Sequence, residues 1–239
     1  MSVELHRIEA ERNPVAVLRY RARRPRDVAM VVGHGYSSSK HNLDFLCSFL
    51  ATHGFEMFSL DFPGHKLGAS GGTLRGIDDC VDAMAATVAF ARTAMRVTPY
   101  TMGHSMGAMT ALLTAAADST IPGVVAIATG YGRPTALTTL MNRPGSDFRA
   151  SYVDGVALPE LTQSLDAHLD ASLGRLKGRP QLYVAALRDA MVSQSSVREL
   201  FDRAPEPKTF ETIESDHTYA GDNARGTILK WLDERHPRE

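Results

Sequence analysis

Short strand-like runs recur along the chain at residues 28–32, 55–60, 98–102, 124–128, 182–186 and 208–213, with stretches of helical periodicity between them. That alternation constrains the fold more than any other feature. The run Val28, Ala29, Met30, Val31, Val32 is apolar at every position, which suits a strand covered on both faces rather than one with a wet side. Parallel strands of this kind need crossovers, and helices predicted over 43–50, 78–95, 106–117, 197–201 and 224–232 supply them. In the second of these, Val81, Met84, Ala85, Val88 and Ala91 make one apolar face. Two further runs, 3–8 and 15–20, flank Arg12-Asn13-Pro14 and predict an antiparallel opening hairpin, followed by a charged connector at 21–27. The expected architecture is α/β, a mostly parallel eight-stranded sheet flanked by helices.

At 239 residues the chain fits one domain of this class, spanning 1–239. A domain of that size buries roughly 70 to 75% of its unfolded surface and needs no covalent staples. Hydrophobic residues at 44% and charged residues at 22% exclude a disordered, collagen-like or coiled-coil chain. With 26 Lys and Arg against 27 Asp and Glu there is no basic field to hold a phosphate backbone, so nucleic acid is not an expected partner. Cys47 and Cys80 sit inside predicted helices without paired spacing and read as packed free thiols. Glu4, His6, Arg7 and Glu9 interrupt the apolar residues of the first segment, and no run reaches about eighteen apolar residues. No membrane insertion and a cytoplasmic location are therefore expected.

The chemistry centres on Gly103-His104-Ser105-Met106-Gly107, a G-x-S-x-G placed between a predicted strand and a predicted helix. In that context a tight turn raises the serine hydroxyl above the sheet edge, the glycines leave room for the strained backbone, and the helix start presents unpaired N–H groups. Serine is a weak nucleophile and needs a base, itself oriented by a third group. Of nine histidines, His6, His41, His53, His168 and His236 read as solvated or helix-end residues. His217 differs, because it follows the last predicted strand and precedes the last helix, from where it can reach across the top of the sheet. Asp189, after the 182–186 strand, is taken as the orienting acid, with Asp216 and Asp61 as its rivals. An acid directly beside the base in sequence usually points away from it, and Asp61 has an alternative role in tying down the loop after it.

The order Ser105, Asp189, His217, each after a different strand, resembles the α/β-hydrolase superfamily of serine hydrolases: esterases, monoacylglycerol lipases and thioesterases. Gly33-His34-Gly35-Tyr36 is similar to the family's H-G-x loop, Asp61-Phe62-Pro63-Gly64-His65 to its D-x-x-G-H segment, and Asp189-Ala190-Met191-Val192 to its acid loop. Two departures stand out: Lys66 and Leu67 lengthen the second segment before Gly68, and Ala185-Ala186 replaces the usual His-Gly before the acid. The resemblance implies an oxyanion hole from the amides of Tyr36 and Met106, and places His34, Gly35 and His104 along the substrate site. Serine rather than aspartate at position 105 disfavours the dehalogenase and epoxide-hydrolase branches.

Between residues 131 and 178 the alternation pauses, and Pro134, Pro144, Gly145, Gly155 and Pro159 punctuate an insert too long for a plain connector. It is expected to form a small cap. Leu161, Leu165, Leu169 and Leu173 lie four apart after Pro159, predicting a helix whose stripe lines that cap over Ser105; an ordinary core face is the other use of such a stripe. Residues 33–41 are not a phosphate loop, since Ser39 precedes Lys40 and His41 follows it where glycine and a hydroxyl residue are needed. No spacing suggests a metal site, and no cofactor is expected. The sequence thus points to a hydrolase acting on carboxylic esters of small to medium apolar acyl groups, with a small-molecule acyl substrate and at most a second copy of itself as protein partner. Thioester cleavage, acyl transfer, a lyase reaction or non-catalytic binding on the same fold are the alternatives.

Overall fold

The chain opens on an antiparallel hairpin, β1 (Ser2–Ile8) and β2 (Val15–Arg21), with Leu5 opposite Leu18. The computed structural model describes residues 1–132 and 151–238. Strands and helices then alternate as β3 (Ala29–Gly33), α1 (Asp44–Thr52), β4 (Glu56–Leu60), α2 (Ile77–Met95), β5 (Tyr100–His104), α3 (Met106–Ala117) and β6 (Val124–Ile127). Two short helices, α4 (Leu158–Gln163) and α5 (Leu165–Ser172), precede β7 (Gln181–Ala186), α6 (Gln194–Arg203) and β8 (Lys208–Ile213). The last elements are α7 (Ala220–Asn223) and α8 (Arg225–Asp233). All eight strands form one sheet in the order β1-β2-β4-β3-β5-β6-β7-β8, parallel from β4 to β8 and antiparallel where β2 meets β1 and β4. The chain moves from β3 to β4 on one side and to β5 on the other. Beside β3 the strand order therefore reverses, and the helices that follow β3 and β5, α1 and α3, lie on opposite faces of the sheet.

The apolar strands serve two cores at once. In β3, Ala29 and Val31 pack with α2 and α3 residues such as Met84 and Leu112, whereas Met30 and Val32 pack with Leu46, Leu50 and Trp231 on the other face. Alternate side chains of a strand point to opposite faces, so a strand covered on both sides has no polar positions to spare. Cys80 lies in the first core and Cys47 in the second, both fully buried free thiols whose ionisation burial pushes upward. Among the described residues no helix is long and apolar enough to cross a membrane.

Boundaries move where local chemistry overrides periodicity. The strand expected at 98–102 lies at Tyr100–His104, beyond Pro99, which has no N–H to give a ladder. The expected 197–201 helix begins earlier, at Gln194, because the Ser193 side chain accepts the Ser196 N–H and caps it. The expected last helix is divided into α7 and α8.

One expectation is corrected. Part of the predicted cap, residues 133–150, lies outside the described residues, but the leucine stripe that was to line it does not face Ser105. A break at Ser164 splits the predicted helix into α4 and α5. Leu161, Leu165, Leu169 and Leu173 are buried in the same core as Met109, Leu112 and Leu113, with α5 and the 3-10 turn Leu173–Leu176 lying against α3. The reason lies in α3 itself, which is buried at every position from Met106 to Ala116 and has no polar face to offer water. A small, alanine-rich helix needs apolar cover on its outer side, and the stripe provides it. Leu169→Ala should accordingly cost about 2–5 kcal/mol of stability, measured by urea denaturation. A Leu169→Asp chain as stable as its parent would contradict this packing.

Candidate active site

Ser105 stands between β5 and α3 with φ 55° and ψ −115°, a left-handed conformation that a non-glycine residue adopts only at a cost of about 1–3 kcal/mol. Packing on both sides imposes it. A Cβ on Gly107 would stand 2.1 Å from the Gly33 carbonyl oxygen, and one on Gly103 would stand 2.2 Å from the Gly107 backbone. Helix α3 therefore runs directly against the end of β3, while the Ser105 N–H donates to the Ile127 carbonyl at 2.8 Å and pins the turn to β6. The hydroxyl is left at the head of the sheet, beside the first turn of α3, whose N–H groups have no partner inside the helix.

His217 reaches that hydroxyl from the far side. Its Nε2 lies 3.1 Å from Ser105 Oγ, and its Nδ1 lies 2.7 Å from Asp189 Oδ2. The loops carrying the two are joined to each other, since Leu187 N–H donates to Ile213 and Arg188 N–H to Ser215. Asp189 Oδ1 accepts the amides of Met191 and Val192, both at 2.8 Å. Burial raises the proton affinity of this carboxyl, but His217 and the two amides outweigh that and hold it below the usual carboxylate range. Asp189 is thus held as a carboxylate with one oxygen fixed to backbone and the other on imidazole.

The family assignment follows from the sequence. The profile of the family described as serine aminopeptidase, S33, matches residues 24–162, more than half of the chain. The chain is a member of this α/β-hydrolase family. No curated protein matches at a significant level. Among solved structures, the esterase domain of a Rhodothermus marinus protein is similar over 99% of this chain and 99% of its own, at 20% identity and TM-score 0.72. The Pyrococcus furiosus esterase Pf2001 matches over 98% and 88% at 17% identity and TM-score 0.73. The α/β hydrolase GrgF from Penicillium sp. sh18 matches over 99% of both chains at 14% identity and TM-score 0.76. At these identities the likeness is one of fold.

In this α/β-hydrolase the remaining candidate residues divide. Gly35 lies beside Ser105, where an added Cβ would be 3.5 Å from Ser105 Cβ and 3.4 Å from His104 Nδ1. The His104 ring packs beside that of His217, centroids 4.8 Å apart. His34 is corrected: it is fully buried, its Nδ1 lies 2.8 Å from the Gly35 carbonyl and its Nε2 accepts the Phe62 N–H at 3.0 Å. Both ring nitrogens are engaged within the loop, and burial, with His65 nearby, lowers its pKa to about 3, so it remains neutral and ties loops rather than touching substrate. Tyr36 donates its hydroxyl to the Val156 carbonyl, and Met106 is the first residue of α3.

The rival acids have other work. Asp216 Oδ1 accepts the Tyr219 N–H at 3.0 Å and caps the turn into α7. Asp61 is fully buried against Lys40. Lys40 as the partner of Asp61, and the packing of the buried His65 edge-on to His34 and Tyr36, are what the sequence pattern missed. A lysine in a polar loop carries no mark of burial, and its partner lies twenty-one residues away on another strand end. His6, His53 and His168 pair locally with Glu4, Phe49 and Ser164, and His236 with the distant Tyr100 hydroxyl, none of them with Ser105. Among the described residues no group of three or more His, Cys, Asp or Glu could hold a metal ion. The close approach of α3 to β3 leaves no space for a side chain, so Gly107→Ala should cost about 1–3 kcal/mol or more, read as a lowered melting temperature and soluble yield. Parent-like melting in that variant would overturn the packing account of the Ser105 turn.

Proposed function

We propose that the protein hydrolyses carboxylic esters of small to medium apolar acyl groups through an acyl-enzyme on Ser105. The observation that carries this is the bridging of Ser105 Oγ and Asp189 Oδ2 by the two nitrogens of His217. Ser105 Oγ attacks the acyl carbonyl while His217 Nε2 takes its proton. Asp189 keeps the imidazole in the tautomer that protonates Nδ1 and stabilises the imidazolium that forms. The Tyr36 and Met106 amides receive the oxyanion, and the positive end of α3 adds to their effect. His217 then gives the proton to the leaving alkoxide, and the same base activates the water that releases the acid.

Esters fit better than peptides, although the family's description names an aminopeptidase. Binding a peptide N-terminus calls for a carboxylate to meet its ammonium. Among the described residues, the buried carboxylates at the ends of β4 and β7, Asp61 and Asp189, are both occupied, by Lys40 and His217. Two of the similar structures are described as esterases. The apolar preference is supported by the partly exposed Leu187 and Met191, which stand close in the chain on either side of Asp189. The acyl-binding surface draws nothing from the leucine stripe, which is core.

Ser105→Ala should keep the parent's melting temperature and lose nearly all turnover, and a fluorophosphonate probe should label Ser105 in the parent chain alone. An adduct mapped by mass spectrometry to another residue would refute the assignment. Asp189→Asn should lower kcat by about 10⁴, the size of the tautomer effect in serine proteases, while Asp216→Asn, which touches only a turn, should leave kcat near the parent's. The reverse ranking in folded variants would move the acid to Asp216. On p-nitrophenyl esters kcat/KM should rise from acetate to butyrate or hexanoate, by up to about 0.8 kcal/mol per buried methylene, and fall for palmitate. A consistent preference for matched thioesters over oxygen esters would instead mark a thioesterase.

A further inference from the structure

Lys40 is only 2% exposed and Asp61 is fully buried, an ammonium and a carboxylate sealed together at the end of β4 with Nζ 2.5 Å from Oδ2. Such pairs contribute little to stability, since apolar replacements of similar volume are often neutral or better. Their value here lies in geometry. Asp61 also accepts the Lys40 backbone N–H at 2.7 Å and the Ala69 N–H at 2.7 Å, and the Lys40 carbonyl accepts the Ser59 hydroxyl at 3.2 Å. Lys40 is thus gripped through its side chain, its amide and its carbonyl, all at the end of β4. The loop from β3 to Lys40 is fixed at its other end too, where His34 accepts the Phe62 N–H. Tyr36 lies between these anchors. Directly after it, Ser37 has φ 57°, a strained conformation for a residue with a side chain, and strain of this kind persists only where the surroundings enforce it. Gly68 seals the arrangement, because a Cβ there would stand 2.5 Å from Asp61 Cγ.

We propose that Lys40 and Asp61 are positioning residues that hold the strained 34–40 loop so that the Tyr36 amide is set to receive the oxyanion. This holds only if Ser105 is the nucleophile. Oxyanion donors act by being in place before charge develops, and a displacement of about 1 Å can cost about 10²-fold in rate.

The test is the double variant Lys40→Met with Asp61→Asn, which withdraws both charges together and leaves no uncompensated ion in the core. In the folded variant kcat should fall about 10- to 100-fold, with KM within about twofold of the parent, because the lost interaction belongs to the transition state. Affinity for an acyl trifluoromethyl ketone, whose adduct oxygen occupies the oxyanion site, should fall by the same factor as kcat. A purely structural role would lower the melting temperature and leave both quantities at parent values, and that result overturns the proposal. If the double variant does not fold, Gly68→Ala takes its place: its backbone is outside the left-handed region and the three atoms nearest the added methyl all belong to the Asp61 carboxylate. The same paired loss is expected, and parent-like kcat and inhibitor affinity overturn the proposal. A parent chain that fluorophosphonate does not label at Ser105 removes the nucleophile, and the positioning role with it; a labelled parent with unimpaired variants removes the positioning role alone.

Discussion

The contact between the Gly107 backbone and the Gly33 carbonyl is the constraint on which the site depends. It sets how closely α3 approaches the end of β3, and hence where the turn before the helix must lie. With α3 that close, the connection from β5 has room for one left-handed residue, and Ser105 occupies it. The cost of that conformation is met by many small contacts rather than one strong bond. The Ser105 N–H is tied to β6, and α3 is enclosed by apolar residues along its whole length. Moving the helix outward by the width of a methyl group would relax the turn and withdraw the hydroxyl from His217.

The same enclosure explains the leucines of α4 and α5. A helix with no polar face is stable only when covered, and β3, β5 and β6 cover only its inner side. Leu165, Leu169, Leu173 and Leu176 complete the cover, which places part of the 131–178 insert in the core. The described part of the insert therefore backs the helix that begins after Ser105. Its contact with the front of the site is made elsewhere, through the Val156 carbonyl that receives the Tyr36 hydroxyl and the bridge between His65 and Val153.

Charge is distributed in the site with little redundancy. Asp189 is held ionised by backbone amides and His217, and Asp61 by Lys40 and two further amides, so each buried carboxylate has its donors arranged around it. His34, equally buried and 4.0 Å from an Asp61 oxygen, is held neutral because burial and the neighbouring His65 outweigh that carboxylate. Low-dielectric surroundings make each of these arrangements stiff, because any displacement leaves a polar group unpaired. Such stiffness suits a site whose donors must be in place before the substrate arrives.

Much of this was legible in the sequence. The alternation of strand-like runs and helices determined a mostly parallel sheet, because a continuous apolar strand can be buried only with cover on both faces. The G-x-S-x-G between strand and helix, with Asp189 and His217 each following a later strand, determined which side chains could meet at the carboxyl edge, since parallel strands deliver their following loops to one end. Local pattern could not distinguish two uses of one residue type. The stripe from Leu161 to Leu173 has the same spacing whether it faces a cap or a core, and only the apolar circumference of α3 decided for the core. His34 stands in a motif at the site, yet the Phe62 N–H turned its ring inward. Lys40 and Asp61 meet only because β3 and β4 lie side by side with their ends in register, and that pairing across twenty-one residues of chain exists in the tertiary structure alone.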